Sequence, residues 1–247
     1  MPLHPRILPL LILAAASCAG CATPKPPPTP PTGEPIAMIR IFDESRPLRV
    51  WKGDLTKGQA TWNITLWREI SARDDEGVMH LEGAVKERQA PAGPTRTVHE
   101  VSFEVREQDL VMTRLTEPRH NLDVRFDPPL LVCHAWMRAG EDTDSRAPAR
   151  VLDLRDPSTL RYTGSARQRS QLRNTPAGLE LKSELSIDLG LPTLRVRSRL
   201  IIDHTDPAHP FAAQETTDAL VKLGIAPIIR EKRQLTWEGE TLDPDPR

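Results

Sequence analysis

The chain has 247 residues, a formal net charge of −1 and 27% charged residues. A nearly neutral surface of mixed sign offers no basic excess for a polyanion, so we expect no nucleic-acid partner. The chain has three cysteines, and only Cys133 lies beyond the N-terminal segment. This count excludes a disulfide framework within the domain.

The N-terminal residues have the pattern of a secretory signal peptide. Arg6 supplies a positive charge, and an apolar stretch follows from Ile7 to Ala16. A bilayer-spanning helix needs about twenty apolar residues, so this stretch is too short to cross a membrane. We therefore expect a cleaved signal and an exported protein.

A small-residue segment with two cysteines ends the signal: Ala15-Ala16-Ser17-Cys18-Ala19-Gly20-Cys21. It resembles the lipobox of bacterial lipoproteins, in which a small residue precedes the Cys that becomes the lipidated N-terminus. The resemblance implies that either Cys21 or Cys18 carries acyl chains such as palmitate and anchors the protein to a membrane. Cys21 follows the more typical Ala-Gly, whereas Cys18 follows small residues throughout. The alternative is an ordinary signal peptide cleaved after Ala16 or Ala22.

The residue after the anchor cysteine bears on location. In lipoproteins of the Gram-negative kind, a residue other than Asp at this place favours the outer membrane, and here it is Ala22 or Ala19. The resemblance thus implies an envelope protein that faces the periplasm from the outer membrane. The signal covers residues 1–21, or 1–17 if Cys18 is the anchor.

Residues 22–35 are predicted to be a proline-rich tether. The stretch from Pro24 to Pro35 contains seven prolines. Such a run favours extended polyproline II at about 3.1 Å per residue, and it does not suit a helix or a sheet interior. Twelve residues of this kind reach on the order of 35 Å from the membrane.

Residues 36–239 read as one β-rich domain. Short segments alternate apolar and polar residues with a period of two and are separated by Gly, Pro, Asp and Asn, which is the signal for strands. The clearest segments cover residues 62–70, 79–85, 101–105, 110–112, 122–126, 179–189, 194–202 and 228–237. The pattern predicts about nine to eleven antiparallel strands, arranged as a sandwich, a curved half-barrel or a barrel.

The strongest strand pair is a hairpin late in the chain. Leu179 to Leu189 alternate with acidic and polar residues, and Leu194 to Ile202 alternate with Arg195, Arg197 and Arg199. A loop of two or four residues places all leucines on one face and the charges on the other, whereas a loop of three would oppose Leu with Asp. We expect the arginine row to face acidic partners on a solvated sheet face, with an anion-binding patch as the alternative.

One short helix is predicted near 212–223. Ala212, Thr216, Ala219 and Leu223 share one side at helical spacing, and Gly224 and Pro227 fit the end of a helix. After a final strand, the acidic residues 240–247 are predicted to be a frayed tail.

No catalytic motif is present in the sequence. One segment, Asp203 to His209, has metal-ligating chemistry, and its weak candidates are His204, Asp206 and His209. The same residues are typical of turns, because Asp side chains accept backbone N–H bonds, so we predict a turn and no metal or other cofactor. The tryptophans are either core residues or part of a ligand cleft: Trp51, Trp62, Trp67, Trp136 and Trp237.

Three functions remain, and the first is a non-enzymatic binding or assembly module on a membrane tether, with a protein or glycan partner. The absence of catalytic motifs and the anchor-plus-spacer layout favour it. The second is a carrier or acceptor of an apolar ligand such as a lipid, because a curved antiparallel sheet can enclose a cavity. The third is a hydrolase whose carboxylates are far apart in sequence.

Overall fold

The computed structural model describes residues 31–42, 48–75, 78–90, 93–190, 192–205, 210–223 and 226–241. Within these ranges the chain forms fourteen strands, one short helix and one 3-10 turn at Pro118–His120. The elements are β1 (Thr32–Ala37), α1 (Ile39–Phe42), β2 (Leu48–Lys57), β3 (Ala60–Asp75), β4 (Val78–Gln89), β5 (Arg96–Arg106), β6 (Asp109–Glu117), β7 (Leu122–His134), β8 (Trp136–Ala139), β9 (Asp142–Asp153), β10 (Leu160–Thr175), β11 (Gly178–Asp188), β12 (Thr193–Asp203), β13 (Phe211–Leu223) and β14 (Ala226–Thr241).

Twelve of these strands form one closed barrel. Their order around the ring is β10-β11-β12-β13-β14-β2-β3-β4-β5-β6-β7-β9, and β9 pairs again with β10. All neighbouring strands are antiparallel. The predicted all-β class is confirmed, but the sheet closes fully instead of forming a sandwich or a half-barrel. The described residues form fourteen strands, which is more than the predicted number of about nine to eleven.

The predicted hairpin is formed by β11 and β12. Asp188 pairs with Thr193 and Ile187 with Leu194, which leaves the four residues 189–192 between the strands. The four-residue loop is therefore correct, and the leucine row lies on one face as predicted. The two-residue loop would have shifted every cross-strand pair by two positions.

The arginine row of β12 lies on the outer face of the barrel among carboxylates. Glu184 contacts Arg197 at 2.8 Å and Arg195 at 3.5 Å, and Glu180 contacts Arg199 at 3.4 Å. Acidic partners are therefore present, but the cross-strand pairs expected for a two-residue loop, Asp188 with Arg195 and Glu184 with Arg199, are wrong. The pairs of Glu184 are more exposed than that of Glu180, which is buried, and each exposed pair contributes on the order of 0–1 kcal/mol to stability.

The helix predicted near 212–223 is wrong, because these residues form strand β13. The register with β12 shifts by one residue between Ile201 and Ile202, so that Ile202 pairs with Ala212 and Ile201 with Gln214. The extra residue, Ala213, is a β-bulge, which interrupts the period of two. Beyond the bulge, the inward row begins with the polar residues Glu215 and Thr217, while Leu220 on the other face is apolar, so the period of two is too weak to mark a strand.

Strands β9 and β10 were not predicted because their inward-facing residues are small or polar. On β10, Ala166, Gln168 and Ser170 are buried, and on β9 the buried residues include Ala147 and Ala149. The apolar alternation that marks a strand is therefore weak in both. The sheet of the barrel continues through this region.

Strand β1 and strand β8 form a separate two-stranded ribbon at one end of the barrel. Residues 32–35, which belong to the predicted tether, lie in β1, and burial begins at Ile36. At the other terminus, residues 240 and 241 are part of β14 and pair with β2, so the strand extends into the predicted tail.

Candidate functional site

A cavity of about 410 Å³ lies inside the barrel. Small-molecule sites typically occupy about 300–1,000 Å³, so the space is large enough for a ligand. Most of its wall is apolar and comes from inward-facing rows of several strands. The apolar wall residues are Ile41, Ile70, Val85, Val98, Val101, Phe103, Met112, Leu115, Leu122, Val124, Val132, Val151, Leu181, Leu185, Ile187, Leu189, Leu194, Val196, Leu200 and Val221.

One end of the barrel is closed by the N-terminal ribbon and α1. The backbone N–H of Ile39 donates to the carbonyl of Ala135, next to β8. Met38, Ile41 and Met137 are at most 1% exposed and belong to the main core cluster, and Ile41 also reaches the cavity wall. The apolar side chains of this segment therefore form the floor of the cavity.

The opposite end of the cavity reaches solvent. Tyr162, near the start of β10, and His120, in the 3-10 turn, both line the cavity. They are nevertheless exposed, Tyr162 by 42% and the His120 side chain by 47%. The loop residue Pro192 lies in the same wall. These residues form the mouth of a cup whose floor is the N-terminal segment.

A cluster of buried charges occupies part of the barrel interior. Its centre is Glu87 on β4, which has no exposed surface. Its carboxylate accepts hydrogen bonds from Arg96 (2.9 Å), Arg119 (3.2 Å) and Arg233 (3.3 Å). A carboxylate without exposure is tolerated only when its charge is compensated in this way.

A second carboxylate extends this cluster toward the mouth. Glu231 on β14 contacts Arg233 at 3.4 Å and Arg119 at 3.9 Å, and Lys57 donates to it at 2.8 Å. Burial by itself would raise the pKa of Glu231, but the hydrogen bond from Lys57 and the neighbouring cations lower it overall. Glu231 is therefore ionised at neutral pH and is part of the ion-pair network.

Arg68 on β3 links this charged region to the strands on its other side. Its guanidinium donates to Glu215 on β13 and stacks 5.1 Å from the centre of the Trp51 ring. The Trp51 indole is itself fully buried, and its Nε1–H donates to the carbonyl of Ala212 at 3.1 Å. A cation over an aromatic face contributes roughly 0.5–2 kcal/mol, more where the pair is desolvated.

Besides Glu231, two titratable residues in the cavity wall have shifted pKa values. Burial, followed by the charges of Arg233, Arg68 and Arg119, lowers the pKa of His99 to about 3. The imidazole is therefore neutral at physiological pH. Burial raises the pKa of Glu117, and the charge of Arg119 opposes that rise only in part.

Of the sequence-predicted site residues, the structure describes His204 alone. Cys18, Cys21, Asp206 and His209 lie outside the described residues. His204 follows β12, with its Nδ1 at 3.5 Å from the carbonyl of Ile202. Across the part of the chain that the structure describes, no group of three or more His, Cys, Asp or Glu side chains is placed to hold a metal ion.

The Asp203 carboxylate at the start of this loop makes the turn contacts expected of an Asp side chain. It accepts hydrogen bonds from the backbone N–H of Thr205 at 3.0 Å and from its hydroxyl at 2.7 Å. The first of these bonds lowers the pKa of Asp203. The turn interpretation of this loop start is therefore supported by its hydrogen bonds.

Of the five tryptophans, Trp51, Trp62, Trp136 and Trp237 do not line the cavity, and the side chain of Trp67 lies outside what the structure describes. Trp51 and Trp237 belong to a second hydrophobic cluster with Leu55, Ile64, Leu66, Val85 and Leu235. Trp62 and Trp136 are 36% and 55% exposed. Cys133 is fully buried in the main cluster, and burial raises the pKa of its thiol to about 12, as expected of an inert core residue.

The charged residues of the interior were missed because they interrupt apolar rows. Arg68 lies between Leu66 and Ile70 on the inward row of β3, and Glu87 continues the inward row of Leu81 and Val85 on β4. A charge on the buried face of a strand is the signal that would have identified them. Arg96 lies opposite Glu87 on the next strand, but Arg119 and Arg233 come from distant parts of the chain and have no signal in the sequence.

No family model, no curated protein and no solved structure matches this chain.

Among the described residues, no helix is long and apolar enough to cross a bilayer.

Proposed function

We propose that this protein is a carrier or acceptor of an apolar ligand, which it holds inside the barrel. The supporting observation is the cavity of about 410 Å³ with a wall of Leu, Ile and Val side chains. Apolar side chains turned toward a space of this size gain free energy when an apolar molecule replaces water, about 25 cal/mol per Å² of surface covered. A barrel with a closed floor and an open mouth provides one route for entry.

The exposed hydrophobic side chains favour this function over a binding or assembly module. The large hydrophobic residues that are exposed in the described chain are Trp62, Trp136, Leu160 and Tyr162. Leu160 and Tyr162 lie at the start of β10, whereas Trp62 is on β3 and Trp136 on β8. A protein-docking surface normally presents a contiguous apolar patch. The larger apolar surface of this molecule is internal.

The predicted location of the protein at the outer membrane fits a carrier. We propose that Cys21 or Cys18 is lipidated and that the proline-rich stretch is a tether at the outer membrane. A barrel tethered to the membrane exchanges an apolar ligand with it over a short distance, so the ligand crosses little water. Replacement of both cysteines by Ser tests the anchor: the double variant is expected to leave the membrane fraction, and its retention there would refute the proposal.

A fluorescent-probe titration tests the carrier function. The chain with Cys18→Ser and Cys21→Ser is purified without detergent, so that neither its own acyl chains nor detergent fills the cavity. N-phenyl-1-naphthylamine, a neutral apolar dye, is expected to bind saturably and with increased fluorescence.

Two tryptophan substitutions on one strand provide the matched comparison. Leu185→Trp places a large side chain in the cavity, whereas Lys182→Trp places it on the outer face of the same strand. We expect Leu185→Trp to weaken dye binding about tenfold or more, equivalent to about 1.4 kcal/mol, and Lys182→Trp to leave it unchanged. No saturable binding by the parent chain, or equal loss in both variants, would refute the carrier function.

A further inference from the structure

The large hydrophobic side chains that are exposed in the described chain lie mostly at the open end of the barrel. Tyr162 lines the mouth, and Leu160 is two residues closer to the start of β10. Strand β3 is six places from β10 around the antiparallel ring, so both strands start at this end, and Trp62 is the third residue of β3. The remaining one, Trp136, lies in the ribbon at the closed end. We call Trp62, Leu160 and Tyr162 the mouth rim.

The residue types of the mouth rim are typical of a surface that enters a lipid interface. Tryptophan and tyrosine combine an apolar ring with a polar group, and they are enriched where the hydrocarbon of a membrane meets water. The rim has one of each, and Leu160, 49% exposed, adds an aliphatic side chain. Separate side chains around an opening can each insert into the same bilayer surface, so the rim needs no contiguous patch.

The side of the mouth formed by β9 and β10 is positively charged. Residues 146–167 include five arginines but only two acidic residues, whereas the whole chain has a net charge of −1. Within this segment, Arg161 is bound to Asp153. Arg150, near the end of β9, and Arg155, in the following loop, are both exposed, and neither guanidinium forms a salt bridge within the described residues. Two arginines beside the rim are therefore available to an anion.

The surroundings of Arg150 also favour an anionic partner. In the register of β7 and β9, Arg150 lies directly opposite Arg125. Like charges in this position on a sheet are unfavourable. The Arg125 guanidinium is bound to Asp123 at 3.0 Å, and Arg150 has no such compensation among the described residues. An anion that contacts Arg150 would therefore reduce the repulsion.

We propose that the mouth rim docks onto an anionic phospholipid bilayer. The side chains of Trp62, Leu160 and Tyr162 enter the interfacial region of the lipid. Arg150 and Arg155 contact the phosphate groups, since basic side chains near an anionic membrane surface are attracted to it. This orientation places the open end of the cavity against the bilayer. The contact goes beyond the proposed carrier function, because it depends on exposed side chains at the mouth and not on what the cavity holds.

Vesicle flotation tests the docking. The Cys18→Ser, Cys21→Ser chain carries no acyl chain at either cysteine, so its attachment to vesicles comes from the rest of the protein. The vesicles are phosphatidylcholine alone or phosphatidylcholine mixed with phosphatidylglycerol. We expect the affinity for the anionic vesicles to be about tenfold or more above that for the neutral ones, and to fall as salt is added. No attachment, or equal attachment to both kinds of vesicle, would overturn the proposal.

Two matched pairs of variants locate the contact. Trp62→Gln and Trp136→Gln each remove an exposed tryptophan, the first at the mouth and the second at the closed end. Arg155→Gln and Arg138→Gln remove an exposed arginine from the same two ends. We expect each mouth variant to weaken attachment to the anionic vesicles about fivefold, and each closed-end variant to leave it unchanged. Equal losses at the two ends would contradict docking through the mouth.

The dye titration distinguishes this docking from the carrier function. Trp62 and Arg155 are not part of the cavity wall, so their variants are expected to bind N-phenyl-1-naphthylamine like the parent chain. Dye binding by the parent chain without vesicle attachment would overturn the docking and leave the carrier function intact. Vesicle attachment without dye binding would support the docking and refute the carrier function.

Discussion

The interior of this barrel has two unlike sides. The inward rows of β11 and β12 are almost wholly aliphatic, and the cavity lies against them. The interior of β3, β4 and β14 combines the second hydrophobic cluster with Arg68, Glu87 and Arg233. The first side presents aliphatic surface to the cavity, whereas the second places ion-paired side chains such as Arg68 and Arg233 in its wall. The contrast indicates that the charges support the barrel wall and the aliphatic side provides the binding surface.

The difference has a physical basis in the cost of burying charge. An aliphatic wall tolerates an adjacent space because its side chains need no particular partner. A buried carboxylate such as Glu87 needs every one of its hydrogen bonds, since an uncompensated charge in the interior costs several kcal/mol. The charged side is therefore expected to be sensitive to single substitutions, and the aliphatic side to tolerate them.

The largest expected effect is that of Glu87→Gln. The substitution keeps the size of the side chain but leaves Arg96, Arg119 and Arg233 without their shared carboxylate. We expect a loss of about 3–5 kcal/mol in the free energy of unfolding, measured by denaturant titration. Glu184→Gln, which removes an exposed carboxylate with two arginine partners, is expected to cost less than about 1 kcal/mol. Equal effects of the two variants would remove the distinction between the inner and outer ion pairs.

The next effect is a dependence of stability on pH caused by His99. Its pKa is about 3 in the folded protein, against 6.5 for an unperturbed histidine, so below pH 6.5 only the unfolded chain takes up the proton. Folding stability is therefore lost as the pH falls from 6.5 toward 3, by about 1.4 kcal/mol per pH unit. Between pH 6.5 and 5 this amounts to about 2 kcal/mol.

His99→Gln is expected to remove this component, because glutamine does not titrate. His134→Gln is the control, since His134 is half-exposed and pairs with Asp109 at 2.7 Å on the surface. Denaturant titrations at pH 7.0 and 5.0 measure the difference for each variant. If His99→Gln lost as much stability on acidification as the parent chain, the buried neutral imidazole would not be the cause.

A smaller effect is expected where the two sides meet, at Trp51. Trp51→Phe removes the hydrogen bond to the carbonyl of Ala212 and weakens the contact with Arg68. The two losses together are expected to cost about 1–2 kcal/mol in unfolding free energy. Trp62→Phe, at a partly exposed position, is expected to change stability by no more than about 0.5 kcal/mol. An equal, small effect of both would show that Trp51 does not join the two sides.

The smallest expected effect is at the closed end of the barrel. There we expect the Cys133 thiol to be inaccessible to a labelling reagent, and this test involves no change in stability. In the Cys18→Ser, Cys21→Ser chain it is the remaining thiol of the three in the sequence. Because burial raises its pKa to about 12, we expect a disulfide reagent to modify it at pH 8 only as fast as the protein unfolds. Ser165→Cys, at an exposed position on β10, provides the reactive control. Rapid labelling of Cys133 in the native chain would show that the floor is open.

The sequence was sufficient to predict the strand class but not the closure of the barrel. Regular alternation of Leu with charged residues predicted the β11–β12 hairpin and its faces, because the period of two is a local property. The pairing of β9 with β10 and the burial of Ala166 and Ser170 depend on contacts between strands whose inward residues are small or polar. In β13 the inward row contains Glu215 and Thr217, so the apolar alternation is weak and the strand resembled a helix.

The candidate site was less predictable than the fold. The aliphatic rows were visible, but whether they pack together or enclose a space depends on how many strands complete the ring. The charged residues were visible as exceptions on apolar faces, such as Arg68, yet their partners come from positions up to 147 residues away. Ion pairing over such distances follows from the topology and cannot be read from spacing.

The most direct test of the central claim is native mass spectrometry of the Cys18→Ser, Cys21→Ser chain, purified from cells without detergent. The account predicts a second species, heavier than the chain by the mass of one lipid-sized molecule, that is absent when Leu185→Trp fills the cavity. The chain mass alone in both proteins, with no added mass after incubation with dodecanol, would contradict it.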